Sequence, residues 1–161
     1  MGKIAGIQLP GKSSFAYDTA SVMLQNIGVQ RPICLLNCAS SDKEDFATLG
    51  KRILVLDGVI YNPEDFRAKY KGHADSELIL MSIEKIGLQA TLGKINGDFA
   101  LALIDQHSGS LTLARDRFGI RPLYFSSKGP NRGFSSSIRS LLNLSFVSKK
   151  INPTFLKTAA A

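Results

Sequence analysis

The stretch that decides the fold is Gly97-Asp98-Phe99-Ala100-Leu101-Ala102-Leu103-Ile104-Asp105, followed by Leu111-Thr112-Leu113-Ala114-Arg115-Asp116-Arg117-Phe118-Gly119-Ile120-Arg121-Pro122-Leu123-Tyr124. The small and apolar residues from 99 to 104 predict a strand that is covered on both faces. A polar turn at residues 106–110 leads into a second strand, and a third strand begins at Pro122. We predict that these three antiparallel strands form the middle of one sheet, over which the rest of the chain is arranged.

The composition is that of one ordinary globular domain. With 161 residues, the chain can bury roughly 70% of its unfolded surface in a single core. Its mean hydropathy of +0.04 fits a globular protein. The sequence has no run of about eighteen apolar residues and no signal-peptide pattern. We therefore predict a cytoplasmic location and no membrane partner.

Two cysteines, Cys34 and Cys38, bear on redox state and metal binding. On a single strand their spacing holds them about 13 Å apart, too far for a disulfide. Free thiols agree with a cytoplasmic location. A metal site would need more ligands, and His73 and His107 do not have ligand spacing. We predict neither a metal nor a cofactor in this chain.

The net charge of +7 is unevenly distributed. Residues 1–114 contain 11 basic and 12 acidic side chains, a net of −1, whereas residues 115–161 contain 9 and 1, a net of +8. This basic third could bind nucleic acid, contact an acidic partner domain, or simply be solvated. No basic helix interleaved with aromatic residues accompanies it, so nucleic acid is the least favoured partner.

The remaining segments predict short strands around two central helices. Strands are indicated at residues 3–9, 20–25, 32–37 and 51–56, with a loop at 39–45 and a turn at Asp57-Gly58. Pro63 opens a short helix ending near Gly72, and a second helix at 75–87 is followed by one more turn. A polar loop at 126–133, a short strand and a helix at 137–142 follow. This order predicts an α+β layered domain.

Several segments match the pattern of a known family. Asp57-Gly58-Val59-Ile60-Tyr61-Asn62 resembles Asn-Gly-Glu-Ile-Tyr-Asn, and Ala74-Asp75-Ser76-Glu77 resembles Ser-Asp-Thr-Glu. The central stretch is similar to Gly-x-Phe-Ala-x-Ala-x-x-Asp and Ala-Arg-Asp-Arg-x-Gly-x-(Lys/Arg)-Pro-Leu-Tyr, and residues 134–142 resemble Phe-Ala-Ser-Glu-x-Lys-x-Leu-Leu. These are motifs of class II glutamine amidotransferases of the asparagine synthetase type. The resemblance covers about two-thirds of the chain, from residue 51 onward.

The resemblance implies the four-layer α-β-β-α sandwich of the N-terminal-nucleophile hydrolases. It also implies cleavage of the glutamine side-chain amide and transfer of ammonia to a second active site. That chemistry needs an N-terminal thiol whose own α-amine acts as base. It also needs donors for the oxyanion, which the family supplies from the Asn side chain and the Gly amide of Asn-Gly-Glu.

The sequence departs from the family at the reacting groups. The family begins Met-Cys-Gly-Ile, whereas Gly2 stands here in the place of the nucleophile, so no catalytic residue is expected. Asp57 replaces the oxyanion-binding Asn, and an ionised carboxylate cannot donate a hydrogen bond. Gly58 keeps its amide, and Asp75 matches the residue that contacts the substrate amine, although a helix N-cap is its favoured interpretation. These last three residues are predicted to form a vestigial oxyanion and substrate pocket.

Four charged residues of the central motif are predicted to have a structural or interface role: Arg115, Asp116, Arg117 and Arg121. They can pair around Gly119, with Asp116 accepting from Arg117 or from backbone amides. The resemblance places this loop near the interface with a synthetase domain. Tyr61 is predicted to be a core residue and Asn62 a helix cap.

Together these observations predict a catalytically inactive glutamine amidotransferase type-2-like domain at residues 1–145, acting as a structural and docking module. Residues 146–161 are predicted to be a linker or the start of a synthetase domain. The expected partner is an ATP-dependent amide-forming synthetase domain of the same or a separate chain, with a second copy of the chain as a further candidate. Two alternatives stay open. One is glutamine hydrolysis at a rearranged site with Cys34 or Cys38, and the other is a regulatory module that binds an amino acid or a nucleotide.

Overall fold

The computed structural model describes residues 3–8, 33–35, 38–40, 46–67, 73–150 and 153. Gly2, the strand predicted at residues 20–25 and most of the loop predicted at 39–45 lie outside these residues. Among the residues that are described, no helix has both the length and the apolar character needed to cross a membrane.

The described strands form two antiparallel sheets. Sheet I contains, in spatial order, β2 (Ile33–Leu35), β3 (Cys38–Ser40), β1 (Ile4–Gln8), β9 (Asn131–Ser135) and β8 (Tyr124–Lys128). Sheet II contains β4 (Phe46–Leu49), β5 (Arg52–Ile60), β6 (Gly97–Asp105) and β7 (Ser110–Arg115). The strand predicted at residues 3–9 is confirmed by β1, and the one predicted at 32–37 is confirmed over its described residues, 33–35, by β2.

The three strands of the central stretch do not share a sheet, so that prediction was wrong. β6 pairs with β7, from Ala100↔Arg115 to Asp105↔Ser110, and β7 is the edge of sheet II. β8 instead pairs with β9 at the edge of sheet I. The loop between β7 and β8 folds around the carboxylate of Asp116, so β8 cannot continue the ladder of β7. Residues 116–123 therefore carry the chain from one sheet to the other.

A tight hairpin replaces the polar loop predicted at residues 126–133. β8 runs to Lys128, which pairs with Asn131, and the turn consists of Gly129 and Pro130. Gly129 has a φ of 59°, a left-handed conformation that glycine adopts without steric cost. The prediction failed because β8 is an edge strand with mostly exposed side chains, so it lacks the apolar alternation of a half-buried strand.

Helices cover the outer faces of both sheets. The described helices are α1 (Glu64–Arg67), α2 (Asp75–Ile86), α3 (Leu88–Lys94) and α4 (Ile138–Leu141). On sheet II, α2 buries Ile79, Leu80 and Ile83 against the apolar face of the strands. On sheet I, Leu141 and Leu144 lie against Gly133 of β9. The predicted positions of these helices are confirmed, although α1 is described only over its first turn.

A second apolar cluster fills the space between the sheets. It contains Ile4 of β1 and Phe134 of β9 from sheet I, and Ile53, Val55 and Ala102 from sheet II. The layers are therefore helices, sheet II, sheet I and a short helix. This order confirms the predicted α-β-β-α sandwich.

β5 continues through Asp57 and Gly58, where a turn was predicted. Nine consecutive residues of β5 pair with β6, and the last part of that ladder depends on a close approach of the two backbones. A Cβ atom built on Gly58 would lie 2.1 Å from the carbonyl oxygen of Asp98, and one on Gly97 would lie 2.4 Å from that of Val59. The glycine therefore marks close strand packing and not a reversal of the chain.

The two cysteines lie on different strands of one hairpin. In the β2–β3 register, Cys34 is opposite Ala39 and Cys38 is opposite Leu35. The two cysteines were predicted to lie on a single strand. That prediction was wrong, because they lie on β2 and β3, which run in opposite directions.

Candidate functional site

The candidate site lies where β5 leaves the core between the sheets. Ile53 and Val55 belong to that core, and the two-residue period of a strand places Asp57 on the same face. Asp57 is only 2% exposed. Its Oδ1 lies 3.5 Å from Nη1 of Arg121, which comes from the loop after β7. A carboxylate of sheet II is thus paired with a cation carried by the loop that joins the two sheets.

Asp116 organises that loop through hydrogen bonds to its backbone. Oδ1 accepts from the N–H of Phe118 at 3.0 Å and from that of Ile120 at 2.9 Å. Oδ2 accepts from the N–H of Arg121 at 2.9 Å. The predicted alternative in which Asp116 binds backbone amides is therefore confirmed, and these contacts fix the backbone from which the Arg121 side chain extends.

The pKa of Asp116 lies below its ordinary value. Burial, at 5% exposure, acts to raise the pKa because it removes water from the charged form. The backbone N–H groups of Arg121, Ile120, Phe118 and Gly119 lower it by more, so the net shift is downward. Asp116 is therefore a buried anion stabilised by main-chain donors.

Arg115 supports the same loop from the end of β7. Its Nη2 donates to the carbonyl oxygen of Gly119 at 2.5 Å. A side chain on Gly119, which has a φ of 67°, would collide with the guanidinium of Arg115. The predicted pairing around Gly119 is therefore present, and it is between Arg115 and the backbone.

We expect Asp116→Asn to lower the free energy of unfolding by about 2 kcal/mol. In either orientation of the amide, its NH₂ group faces at least one backbone N–H and leaves that buried donor without an acceptor. Urea denaturation at neutral pH measures the change. The control is Asp105→Asn, because Oδ1 of Asp105 also accepts two backbone N–H groups, at 2.8 and 3.1 Å, but this side chain is only half-buried and its Oδ2 lies 3.4 Å from Nε of Arg52. Equal losses in the two variants would contradict a special role for the buried carboxylate.

The depressed pKa of Asp116 also predicts how this stability depends on pH. A carboxyl group whose folded pKa is below its unfolded value, about 3.9, stabilises the fold above that value. This contribution is lost as the pH falls through the folded pKa. We expect the stability gap between the natural protein and Asp116→Asn to be constant from pH 7 to pH 5 and to narrow below pH 4. Denaturation curves across that range test it, and a gap that widens in acid would contradict it.

The three predicted pocket residues lie near one another. Two are adjacent on β5, and the third contacts the backbone of that strand. Asp57 and Gly58 are adjacent on β5, and Oδ2 of Asp75 accepts weakly from the N–H of Ile60, at 3.4 Å, near the end of the same strand. Asp75 is the first residue of α2 and Ala74 is its N-cap, so the N-cap interpretation was wrong. Glu77 accepts from the N–H of Ala74 instead, at 3.2 Å. Ligand binding by these residues stays a prediction.

Tyr61 and Asp98 lie at the exposed end of the same face, and neither was predicted as a site residue. The hydroxyl of Tyr61 donates to Oδ2 of Asp98 at 2.5 Å, and this hydrogen bond raises the pKa of Tyr61. Tyr61 is exposed, so its assignment to the core was wrong. The two-residue period would have found it, because Asp57, Val59 and Tyr61 continue the face of Val55 once β5 is not broken by a turn.

Asn62 connects two loops and does not act as the predicted helix cap. Its Oδ1 accepts from the N–H of Asn96 at 2.8 Å, and its Nδ2 donates to the carbonyl oxygen of Lys94 at 2.9 Å. Nδ2 also donates to Asp65. The side chain therefore binds the end of β5 to the turn before β6.

This arrangement of sheets and motif residues agrees with a comparison against protein families. A family model described as a glutamine amidotransferase domain matches residues 34–161. The chain belongs to this glutamine amidotransferase family. The matched region contains every described strand except β1 and the first residue of β2, together with Asp57, Arg121 and the loop around Asp116.

Curated relatives of this amidotransferase domain include asparagine synthetases. It is 28% identical over 118 residues to asparagine synthetase [glutamine-hydrolyzing] 2 of Bacillus subtilis, which covers 70% of the chain and 16% of that protein. It is 35% identical over 75 residues to the human asparagine synthetase [glutamine-hydrolyzing], which covers 44% and 13%. The chain therefore spans less than a quarter of the length of these relatives.

Solved structures support the fold of the amidotransferase domain. A glutamine phosphoribosylpyrophosphate amidotransferase from B. subtilis superimposes with a TM-score of 0.60 at 15% sequence identity, over 86% of this chain and 42% of that one. At this identity the similarity concerns the fold alone, which is the predicted N-terminal-nucleophile hydrolase type.

Proposed function

We propose that this glutamine amidotransferase domain does not hydrolyse glutamine and serves an amide-forming synthetase as a structural and docking module. The observation that carries the proposal is the environment of Asp57. The residue resembles the oxyanion-binding Asn of the family, but it is a buried carboxylate 3.5 Å from Arg121. It therefore supplies negative charge where an oxyanion would need a donor.

The ion pair between Asp57 and Arg121 makes it difficult for Asp57 to become a hydrogen-bond donor. A proton on Asp57 would provide a donor, but it would leave the buried guanidinium of Arg121, 3.5 Å away, without its anion. Gly58 could offer only its main-chain amide. By its resemblance to the family, Gly2 stands in the place of the nucleophile, and it has no side chain that could attack an amide carbon. Loss of the nucleophile and of one oxyanion donor would together remove the covalent step.

The proposed partner is an ATP-dependent synthetase, in the same or a separate chain. The relatives whose names include asparagine synthetase extend far beyond the segment matched here. A domain that has lost hydrolysis but kept its layers and its inter-sheet loop can still present a defined surface to such a partner. We place the protein in the cytoplasm, where its two cysteines would stay reduced.

A glutamine-derived electrophile tests the absence of a nucleophile. We expect the intact mass of the protein to stay unchanged after incubation with 6-diazo-5-oxo-norleucine, while the glutamine-hydrolysing relative from B. subtilis gains one adduct under the same conditions. An adduct mapped to Cys34 or Cys38 and suppressed by excess glutamine would support the rearranged-site alternative and overturn the proposal.

A regulatory binding module is a second candidate function, favoured by one observation. Nε and Nη1 of Arg121 are buried and have no hydrogen-bond acceptor among the described residues. Buried guanidinium donors favour a carboxylate or phosphate oxygen. Thermal unfolding with glutamine, asparagine, aspartate or ATP tests this candidate, because a ligand at a hundred times its Kd adds about 2.7 kcal/mol of stability. A rise in Tm that Arg121→Gln abolishes would support it.

A further inference from the structure

β7 is an open edge of sheet II, because no other described strand pairs with it on the side away from β6. In an antiparallel ladder, the main-chain groups of successive residues point alternately to the two sides of a strand. The N–H of Asp116 donates to the carbonyl oxygen of Phe99 in β6 at 2.7 Å, so the even-numbered residues of β7 also bond to β6. The main-chain groups that point away from β6 are therefore those of Leu111, Leu113 and Arg115.

Open edges commonly carry features that prevent pairing with another strand, and β4 and β8 both show one. On β4, the carbonyl oxygen of Phe46 accepts from the hydroxyl of Ser76 in α2 at 3.1 Å. β8 ends in Lys128, and Pro130 follows in the turn. β7 contains neither Lys nor Pro, and its ladder with β6 has no bulge. Of these three edges, β7 is therefore the one best suited to accept a further strand.

The side chains of β7 favour an uncharged strand as its neighbour. Leu111 and Leu113 are partly buried against the cluster between the sheets, and Ala114 is partly buried against the cluster under α2. Thr112 is half-buried, and Arg115 is the only charged residue of the strand. A strand added beside β7 would remove the remaining exposed apolar surface of these side chains from water on both faces of the sheet.

We propose that β7 pairs with β7 of a second copy of this chain, so that the two four-stranded sheets II continue as one across a twofold axis. In an antiparallel pair, residues with outward main-chain groups can bond only to each other. With Leu113 on the axis, Leu113 pairs with Leu113 of the second copy, and Leu111 pairs with Arg115 of the second copy. This register uses every outward group and gives about six hydrogen bonds between the copies. The inference goes beyond the docking role proposed above and does not depend on it.

The same register keeps the positive charges of the two strands apart. Each Arg115 is opposite Leu111 of the second copy, so the two arginines are at opposite ends of the paired segment. Four residues of antiparallel strand separate them by about 14 Å along the ladder, which exceeds the Debye length of about 8 Å at physiological ionic strength. The guanidinium of Arg115 is also bound to the carbonyl oxygen of Gly119. The net charge of +7 on each copy is therefore not concentrated where the strands meet.

Sedimentation equilibrium of the full natural chain tests the proposal, and we expect a dimer that dissociates on dilution. Thr112→Lys should raise the Kd of the dimer at least about tenfold, because it places two lysines in diagonal positions about 7–8 Å apart across the axis. Thr112→Val should leave the Kd unchanged. Thr48→Lys is the matched control, because it makes the same substitution at an exposed position of β4, the other edge of sheet II. A natural chain that stays monomeric, or equal Kd values for the two lysine variants, would overturn the proposal.

A pair of introduced cysteines measures the register without disturbing the charge. In the proposed dimer, Thr112 is directly opposite Ala114 of the second copy, with Cβ atoms about 4.5–5.5 Å apart. We expect Thr112→Cys/Ala114→Cys to form a disulfide between residues 112 and 114 under mild oxidation, identified by peptide mass spectrometry. Within one strand these positions are about 7 Å apart on Cα, too far for a disulfide, so the bond would join two copies. Absence of this disulfide, or a predominant one between two copies of residue 112, would contradict the proposed pairing.

Discussion

Incubated with glutamine, the protein is expected to release ammonia no faster than a heat-denatured sample. In a serine protease, deletion of the nucleophile lowers kcat about a millionfold, and loss of one oxyanion donor costs about a hundred- to a thousandfold. In the function proposed here, Gly2 and Asp57 combine both losses. Any residual rate would therefore lie below the spontaneous background of the assay. Coupled detection of ammonia measures it, with asparagine synthetase [glutamine-hydrolyzing] 2 of B. subtilis as the positive control.

Asp57→Asn sharpens this test because it replaces the carboxylate by the amide that the family uses. If Gly2 stands in the place of the nucleophile, as proposed, we expect ammonia release to stay at background, since an oxyanion donor cannot replace a nucleophile. We also expect the variant to be less stable, because it leaves the buried Arg121 cation without its partner. Turnover by the natural protein or by a folded Asp57→Asn sample would contradict the inactive assignment.

Gly58→Ala is expected to destabilise the fold by about 4 kcal/mol, a large part of a domain's usual stability of about 5–15 kcal/mol. The new Cβ would lie 2.1 Å from the Asp98 carbonyl oxygen and 2.7 Å from Cα of Phe99. Both are backbone atoms of a paired strand, so neither can rotate away. The φ of 151° adds strain for any residue with a side chain. Urea denaturation gives the free-energy difference.

Gly93→Ala is the matched control for this substitution. A Cβ on Gly93 would meet no atom within 4 Å, and the residue is in α3, where alanine favours the helix by about 1 kcal/mol over glycine. We therefore expect the control to be as stable as the natural protein or slightly more so. A Gly58→Ala protein within 1 kcal/mol of the natural one would show that β5 and β6 can separate at this point.

Local patterns in the sequence predicted most of the elements but not how they are distributed between the sheets. The apolar run in β6 and the isoleucines of α2 were sufficient because burial sets their periodicity. The crossing from β7 to β8 could not be predicted in the same way. It depends on how residues 116–123 fold around Asp116, and β8, exposed on much of its surface, carries no pattern that identifies its sheet. The turn assigned to Asp57-Gly58 failed because glycine serves both turns and close strand contacts.

In the candidate site, too, contacts between residues close together in the sequence could be predicted, and contacts between distant residues could not. The hydrogen bonds of Asp116 involve residues two to five positions along the chain, so the motif itself made backbone acceptance a natural alternative. The pairing of Asp57 with Arg121 joins residues 64 positions apart in different structural elements. Charge counting alone could not select Arg121 over Arg115 or Arg117 as the partner.

The carboxylate of Asp116 has a consequence that reaches beyond the loop. One oxygen holds the tip that displays Phe118 to solvent, and the other holds the main chain of the cation that faces inward to β5. Asp116 therefore connects the exposed loop residue Phe118 with the buried ion pair between Arg121 and Asp57. We expect a molecule that binds at Phe118 to disturb that ion pair, and a substitution at Asp57 to alter the loop, while both sheets keep their strand order.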